Sequence, residues 1–234
     1  MLSLLSEFLS GEGNTLEILE HVFVLIFVTV CCLPVHECAH AWMADKLGDP
    51  TGRLKGRISF NPMDHLSLLG TAMLFIFGFG FAKPVPVNIR NFKKRKLYFA
   101  LTAIAGPVSN IILATIFLFI AHGISAVAGI MGSTASVFQI SIDFFSITAV
   151  YNVMLAVFNL IPFPPLDGSR IFTMILPDKI YYKLLSFERY FIYVLWGLMF
   201  LFNRVIGISP IEIISSVIYR FLSTVTGLPF IFFK

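Results

Sequence analysis

Apolar positions occur along the chain in several long runs. The clearest cover residues 16–44, 97–121 and 140–161. Because about 20 apolar residues in a helix are enough to cross the hydrocarbon core of a bilayer, each run predicts a membrane-spanning helix. A shorter run at 189–203 and a mixed stretch at 209–232 predict further C-terminal helices, the last of which either spans the membrane or lies at its interface.

The composition supports this pattern. Of the 234 residues, 57% are hydrophobic and only 13% are charged, whereas about a quarter of the residues in soluble domains are charged. The chain is therefore predicted to be an all-α polytopic membrane protein whose surroundings are the lipid bilayer. We find no internal repeat and no low-complexity linker, so a single membrane-embedded domain over residues 1–234 is the simplest organisation.

Basic residues indicate how the helices are oriented. The segments 45–65, 83–96 and 165–189 hold 14 of the 17 Lys and Arg residues, whereas residues 1–20 hold none. Since positively charged loops remain in the cytoplasm, we predict an external N-terminus and a first helix that runs inward. The formal net charge of +4 thus reflects membrane topology, and no nucleic-acid partner is predicted.

The apolar stretch 66–82 lies between two of these basic segments. A full span would place the segments 45–65 and 83–96 on opposite sides of the membrane, against the charge rule. We therefore predict a small β/loop element in which 66–82 dips into the membrane and returns, with an ordinary short span as the alternative. Extended segments are predicted beside it, at Arg53–Phe60 and at Lys83–Asn88, where prolines at alternate positions exclude a helix.

The inner end of the first predicted helix carries His36-Glu37-Cys38-Ala39-His40. Histidines four positions apart lie on one helical face, so both imidazoles can bind one metal ion, and the glutamate can activate a water molecule there. Cys38 points away from that face, and Pro34 is expected to kink the helix just before the motif. Because ionisable groups at membrane depth are costly, a mere cap at the interface is the less favoured interpretation.

A catalytic zinc ion needs a third protein ligand. The third predicted helix ends on the same side as the histidines, with the sequence Asn-Leu-Ile-Pro-Phe-Pro-Pro-Leu-Asp-Gly at residues 159–168. Proline ends the helix there and the glycine permits a tight turn, which makes Asp167 the preferred third ligand. His65, just before the dipping stretch, is the alternative. His21 and His122 are predicted near the opposite face, too far away to share the ion.

A further motif lies inside the second predicted helix, where Gly-Pro-Val-Ser-Asn occupies residues 106–110. Its small residues favour close packing of helices, and Asn110 is expected to form a hydrogen bond to a neighbouring helix. This motif, the histidine motif and the residues at 159–168, in this order, resemble those of site-2 proteases, the zinc intramembrane metalloproteases of peptidase family M50. The similarity is to short prokaryotic-type members without PDZ or CBS domains.

The resemblance covers about residues 18–175 and implies a fold. That fold is a catalytic core of three spans, at about 18–44, 97–121 and 140–161, with the dipping element between the first two. The apolar runs add one or more C-terminal helices or spans at about 185–232, where the resemblance is weak. In one place the sequence departs from the family pattern. Short members usually continue with an aspartate and a proline after the histidine at position 65, whereas here Leu66 and Ser67 follow. No proposed ligand is lost by this difference.

The resemblance also implies the site. One zinc ion per chain is expected to be bound by His36, His40 and Asp167. Glu37 is then the general base, and Asn159 orients the substrate or stabilises the oxyanion. The implied activity is hydrolysis of peptide bonds within or near transmembrane segments of other membrane proteins. The implied location is a prokaryotic plasma membrane, with the active site near the cytoplasmic face.

Two other functions fit the pattern less well. A non-catalytic membrane chaperone or adaptor with the same fold would have no need of an intact His/Glu/His and Asp set. A metal transporter is expected to carry polar groups at successive depths along several spans, whereas here they cluster at one face. The sequence also lacks the GxSG and GxGD motifs of serine and aspartyl intramembrane proteases. The substrate and the oligomeric state do not follow from the sequence.

Overall fold

Long helices dominate the fold, which is known from a computed structural model. The structure describes residues 15–67, 70–71, 82–177, 180, 194, 197, 201 and 210–227. Three helical stretches in this part of the chain are long and apolar enough to cross a membrane: Ile18–Lys46, Arg95–Ile130 and Ser136–Asn159. They match the three clearest predicted spans, so the prediction of a mostly helical membrane protein is confirmed.

The helices are numbered in chain order. They are α1 (Thr15–Phe27), α2 (Leu33–Lys46), α3 (Thr51–Leu54), α4 (Pro62–His65), α5 (Arg95–Ile130), α6 (Ser136–Asn159), α7 (Asp167–Thr173) and α8 (Pro210–Thr226). A π-helical turn joins α1 to α2, and a 3₁₀ turn at Ile89–Asn91 precedes α5. Helix α5 packs against α2, α6 and α7, and it therefore holds together the parts of the chain that carry the candidate site.

The first span is distorted just before the predicted metal ligands. Pro34 lies at the start of α2 and has no backbone N–H to bond to the preceding turn. The Leu33 N–H instead bonds to the carbonyl of Val28, five residues earlier. The distortion that the proline was expected to cause therefore takes the form of a π-helical turn at Val28–Cys32.

The apolar core lies between α1, α5, α6 and α8. Its buried members are Val24, Val28, Cys32, Ala114, Phe117, Leu118, Ala121, Ala149, Val150, Val153, Val157, Tyr219 and Leu222. Large apolar side chains also point outward from these helices, and Phe23, Ile112 and Phe119 are each more than half exposed. Lipid solvates such side chains, whereas water does not, so the outer surface of the helices suits a bilayer.

One buried arginine ties the two basic segments together. The Arg57 guanidinium donates hydrogen bonds to the backbone carbonyls of Asp64 and Lys83. Beside it, Leu66 and Ala82 form an antiparallel bridge. The two ends of the predicted dipping stretch therefore lie side by side, as a stretch that enters and leaves the membrane on one side requires.

The predicted β/loop element is described only at its edges. Arg53–Phe60 is not a strand, because its first residues belong to the helical turn α3 and Gly56, at φ 69°, ends that turn. Local helical hydrogen bonds thus replace pairing with a neighbouring strand, and the prediction of a strand here was wrong. Lys83–Asn88 is non-helical, as predicted. The dip falls largely on residues 68–69 and 72–81, outside the described residues, and stays a prediction.

Asp49 connects the loop after α2 to the segment before α5. Its buried carboxylate accepts hydrogen bonds from Thr51, from the Asn88 N–H and from the side-chain amide of Asn91. Burial alone would raise the pKa of Asp49, but these hydrogen bonds outweigh it and hold the pKa below its usual value. The charged form of the carboxyl group therefore stabilises this junction.

Acid is expected to open the junction at Asp49. A carboxyl group whose pKa is lowered by folding stabilises the native state above its unfolded-state pKa of about 4, and this contribution is lost as the pH falls through the lower native value. At neutral pH, Asp49→Ala leaves buried donors unpaired and should lower the local free energy of opening by about 1–3 kcal/mol. Amide hydrogen exchange at Asn88 and Asn91, corrected for intrinsic rates, measures both effects.

Asp45→Ala is the matched control for this measurement. Asp45 pairs with the exposed Arg53 at 2.7 Å, and exposed ion pairs contribute only about 0–1 kcal/mol. Exchange at the junction should therefore stay at the wild-type rate in this variant. Wild-type exchange in Asp49→Ala as well would show that the carboxylate does not hold the junction.

In the part of the chain that the structure describes, two shorter helices follow the third span. Helix α7 packs on α5, and α8 packs on α6 and α5 through a buried face that includes Ser215, Tyr219 and Leu222. The outward face of α8 is apolar, with Phe221 strongly exposed. The predicted fourth span at 189–203 lies almost wholly outside the described residues, and both that span and the membrane position of α8 stay predictions.

Candidate metal centre

Two histidines of α2 meet inside the first span. His36 and His40 are both buried, and their Nε2 atoms are 3.0 Å apart, because residues four positions apart share a helical face. His40 Nδ1 lies 2.7 Å from the Thr102 carbonyl oxygen. A carbonyl oxygen only accepts hydrogen bonds, so Nδ1 carries the proton, and the lone pair on His40 Nε2 is directed at the cluster.

Asp167 completes the cluster from the start of α7. Its Oδ2 atom lies 3.3 Å from His36 Nε2 and 3.1 Å from His40 Nε2. A Cβ on the next residue, Gly168, would lie only 2.2 Å from the Leu160 carbonyl oxygen. Glycine is thus required here for close approach of two backbones, more than for the tight turn that the sequence suggested.

The three ligand atoms fit a zinc ion. Tetrahedral ligands about 2.0–2.1 Å from zinc lie about 3.3 Å from each other, and the separations in this cluster are 3.0, 3.1 and 3.3 Å. His40 Nε2 and Asp167 Oδ2 are both acceptors, so a shared cation stabilises their approach. In the part of the chain that the structure describes, only these two and His36 form such a group.

Glu37 lies beside the ligand group and is not part of it. The side chain is half-buried and close enough to His40 for its carboxylate to interact electrostatically with the ring. A residue that takes a proton from a water molecule must lie next to the metal ligands with its own carboxylate free of the metal. Glu37 directly follows the ligand His36 in the sequence and is absent from the described ligand group, and its role as the base stays a prediction.

Asn159 is the last residue of α6 and lies outside the ligand group. Its side-chain amide nitrogen donates to the Leu155 carbonyl over 3.0 Å. The close contact between Gly168 and Leu160 keeps this end of α6 against the start of α7. The structure thus brings Asn159 near Asp167 in the fold, and its role toward the substrate stays a prediction.

The remaining histidines and Cys38 lie outside the ligand group. His65 is fully buried, and its Nε2 lies 2.8 Å from the Ser59 carbonyl. The Cys38 thiol also hydrogen-bonds to the backbone of Ser59, on the side of α2 away from the ligands. Neither residue joins the described ligand group, and neither does His21 or His122. The structure therefore brings Asp167 to the two histidines, whereas the alternative third ligand, His65, lies outside the group.

Gly106 of α5 lies directly against both imidazoles. A Cβ at this position would be 2.4 Å from His40 Nε2 and 2.6 Å from His36 Cε1, far inside van der Waals contact. Glycine therefore allows α5 to pass beside the ligand atoms. The sequence indicated a small residue for helix packing here, but not that it touches the site. The signal in the sequence that could have indicated this contact was the motif at residues 106–110.

Sequence comparisons relate this chain to known proteins. The sequence model of Peptidase family M50 matches residues 23–202, which include the whole ligand group. A Bacillus subtilis (strain 168) protein described as "Putative zinc metalloprotease YwhC" is 41% identical over 172 residues, 71% of this chain and 75% of that protein. No solved structure matches the chain significantly. The match to the family covers well over half of the chain, and the resemblance to site-2 proteases is thereby confirmed: the protein belongs to peptidase family M50.

Proposed function

We propose that the protein is a zinc-dependent intramembrane endopeptidase that hydrolyses peptide bonds within or near the transmembrane segments of other membrane proteins. One observation carries the proposal: two buried imidazoles on a helix that is apolar enough to span a membrane share a site with the Asp167 carboxylate from the start of α7. The family and the name of the Bacillus subtilis relative support zinc-dependent proteolysis. The depth of the site supports membrane-embedded substrates.

The chemistry follows from the cluster and the groups beside it. His36, His40 and Asp167 would hold a zinc ion through three protein ligands, the number typical of catalytic zinc sites. Bound zinc would supply Lewis acidity toward the attacking water and the scissile carbonyl. Glu37 takes the proton of the water and delivers it to the departing amine. Asn159 donates its amide N–H to the carbonyl oxygen as negative charge develops, once it releases the Leu155 carbonyl.

The substrate must change its conformation to react. A transmembrane helix hides its peptide carbonyls in internal hydrogen bonds, so a substrate helix has to unwind locally before a bond can be attacked. The extended segment Lys83–Asn88 adjoins the predicted dipping stretch. We infer that this segment holds the unwound substrate by adding it as a neighbouring strand.

The charge distribution supports one orientation. The basic segments adjoin the C-terminal end of the first span (Ile18–Lys46) and the start of α5, which are the ends of these two spans nearer to the ligand group. Positive loops remain in the cytoplasm. We therefore propose that the N-terminus lies outside a prokaryotic plasma membrane and that the site opens toward the cytoplasmic face.

The proposal is tested by comparing protein termini in membranes from cells that produce the wild type or Glu37→Gln. Mass spectrometry should find new termini inside the predicted spans of other proteins, and only in cells with the wild type. Identical sets of termini, obtained with both proteins folded and loaded with zinc, would contradict proteolysis and favour the chaperone or adaptor function. Zinc uptake into proteoliposomes would instead favour the transporter.

A further inference from the structure

Apart from the ligand atom Asp167 Oδ2, four buried polar atoms near the metal centre have no hydrogen-bond partner among the described residues. They are His36 Nδ1, both amide atoms of the Asn110 side chain, and Asn152 Oδ1. Both asparagines are fully buried, and His36 is 4% exposed. A buried polar group without a partner is destabilising, and lipid cannot supply one. The function proposed above leaves these atoms unexplained.

Contacts between α2 and α5 place Asn110 beside the first histidine. Thr102 meets His40 through its carbonyl, and Gly106 touches both histidine rings. The two helices are therefore antiparallel, and each turn along α5 corresponds to a turn backward along the first span. Asn110 lies one turn beyond Gly106, about 6 Å further along the helix, level with His36 and the turn before it.

Asn152 reaches the same level from α6. Its amide nitrogen lies 3.4 Å from Cys32 Sγ and 2.9 Å from the Thr148 carbonyl oxygen, while its own oxygen has no partner among the described residues. Cys32 is one turn before His36 on the first span. The oxygens of Asn152 and Asn110 thus approach the same turn from two different helices.

The two histidines differ at their outer ring nitrogens. His40 Nδ1 donates to the Thr102 carbonyl, whereas His36 Nδ1 has no partner in the described part of the chain. An imidazole that binds a metal ordinarily donates its other N–H to an acceptor, which fixes the ring orientation and the tautomer. His36 lacks that support among the described residues, and the two asparagine oxygens are unpaired acceptors on the facing helices at this level.

We propose that Asn110 is a positioning residue for His36 and acts through an internal water molecule. The water accepts a hydrogen bond from His36 Nδ1 and donates one each to the side-chain oxygens of Asn110 and Asn152. Three hydrogen bonds to otherwise unpaired groups are usual for a buried water. The inference rests on the proposed function, because it takes His36 Nε2 to be a zinc ligand.

The zinc affinity of the full-length protein in detergent tests this inference. Asn110→Leu keeps the approximate volume of the side chain but cannot bond to the water. Zinc affinity should fall about 10- to 100-fold, the usual effect of removing an indirect partner of a metal ligand. Competition with a chromophoric chelator measures the affinity. Co²⁺ bound in place of zinc should show a changed visible spectrum, because the orientation of the His36 ring changes.

Ser109→Ala is the control on the same helix. The Ser109 hydroxyl donates to the Gly106 carbonyl within α5, so this variant should bind zinc like the wild type. Asn110→Thr and Asn110→Val form a second test that survives misfolding of the leucine variant, because they share one shape and differ by a hydroxyl group. We expect the threonine variant to bind zinc more tightly than the valine variant.

Several outcomes would overturn the proposal. Equal zinc affinities in the threonine and valine variants would do so, as would wild-type affinity in a folded Asn110→Leu. A role in helix packing alone would lower the thermal stability of Asn110→Leu and leave zinc affinity and the Co²⁺ spectrum unchanged. A wild-type protein that binds no zinc would overturn the metal centre as well, which separates that failure from failure of the Asn110 proposal alone.

Discussion

Replacing Glu37 by glutamine is expected to slow peptide-bond hydrolysis by about 10²–10⁴-fold while zinc remains bound. Glutamine has nearly the same shape as glutamate, but its amide does not take a proton from water at neutral pH. The atoms of the ligand group belong to other residues, so their arrangement should survive. Cleavage of a membrane-protein substrate in detergent, with the zinc content of the same sample, measures both quantities.

Asp45→Asn is the matched control, because it also neutralises a carboxylate of α2. Asp45 lies about two turns beyond Glu37 and pairs with the exposed Arg53. This variant should cleave at the wild-type rate. Wild-type turnover by Glu37→Gln would exclude Glu37 as the base, and loss of zinc from that variant would assign it a part in metal binding instead.

Gly106→Ala is expected to remove zinc from the protein. The new methyl carbon would lie 2.4 Å from His40 Nε2 and 2.6 Å from His36 Cε1, so either the rings or α5 must shift. Metal sites tolerate little displacement of their ligands. Zinc affinity should therefore fall at least as far as when an indirect partner is lost, about 10- to 100-fold. Zinc content after dialysis against a weak chelator, with circular dichroism to monitor folding, measures the effect.

Gly123→Ala distinguishes steric displacement from a general effect of alanine in α5. A Cβ at Gly123 would meet nothing within 4 Å, and replacing glycine by alanine in a helix stabilises it by about 0.5–1 kcal/mol. The Gly123 variant should therefore keep its zinc and its fold. A Gly106 variant with wild-type zinc content would show that α5 can move away from the ligands at little cost.

The histidine pair was predictable because its geometry is local. Spacing by four residues on a helix brings His36 and His40 together whatever the rest of the fold does. Asp167 is distant in the sequence, and the residues alone connected it to the histidines through the charge pattern, which placed two helix ends on one side of the membrane. The meeting of the ends of the stretch 66–82 was inferred from the same pattern.

Contacts between helices were not predictable in the same way. Gly106 and Asn110 stand out in the sequence as a small and a polar residue within a span, but which neighbours they face depends on how α5 is rotated against α2. The hydrogen bond expected from Asn110 to another helix is not found among the described residues. The strand expected at Arg53–Phe60 did not form, because the first residues of this segment make local hydrogen bonds in and after the helical turn α3.

The positions of His36 along α2 and of Gly106 along α5 determine how deep in the membrane the proposed cleavage would take place. With a rise of 1.5 Å per residue, His36 lies about 15 Å along the helix from Lys46, and Gly106 about 16 Å from Arg95. In the proposed orientation these charged ends lie at the bilayer surface, which places the ligand group within a hydrocarbon core about 30 Å thick. Under the proposed function, the bond attacked is the one that reaches this depth. Its identity then changes whenever residues are added to or removed from the charged end of the substrate helix.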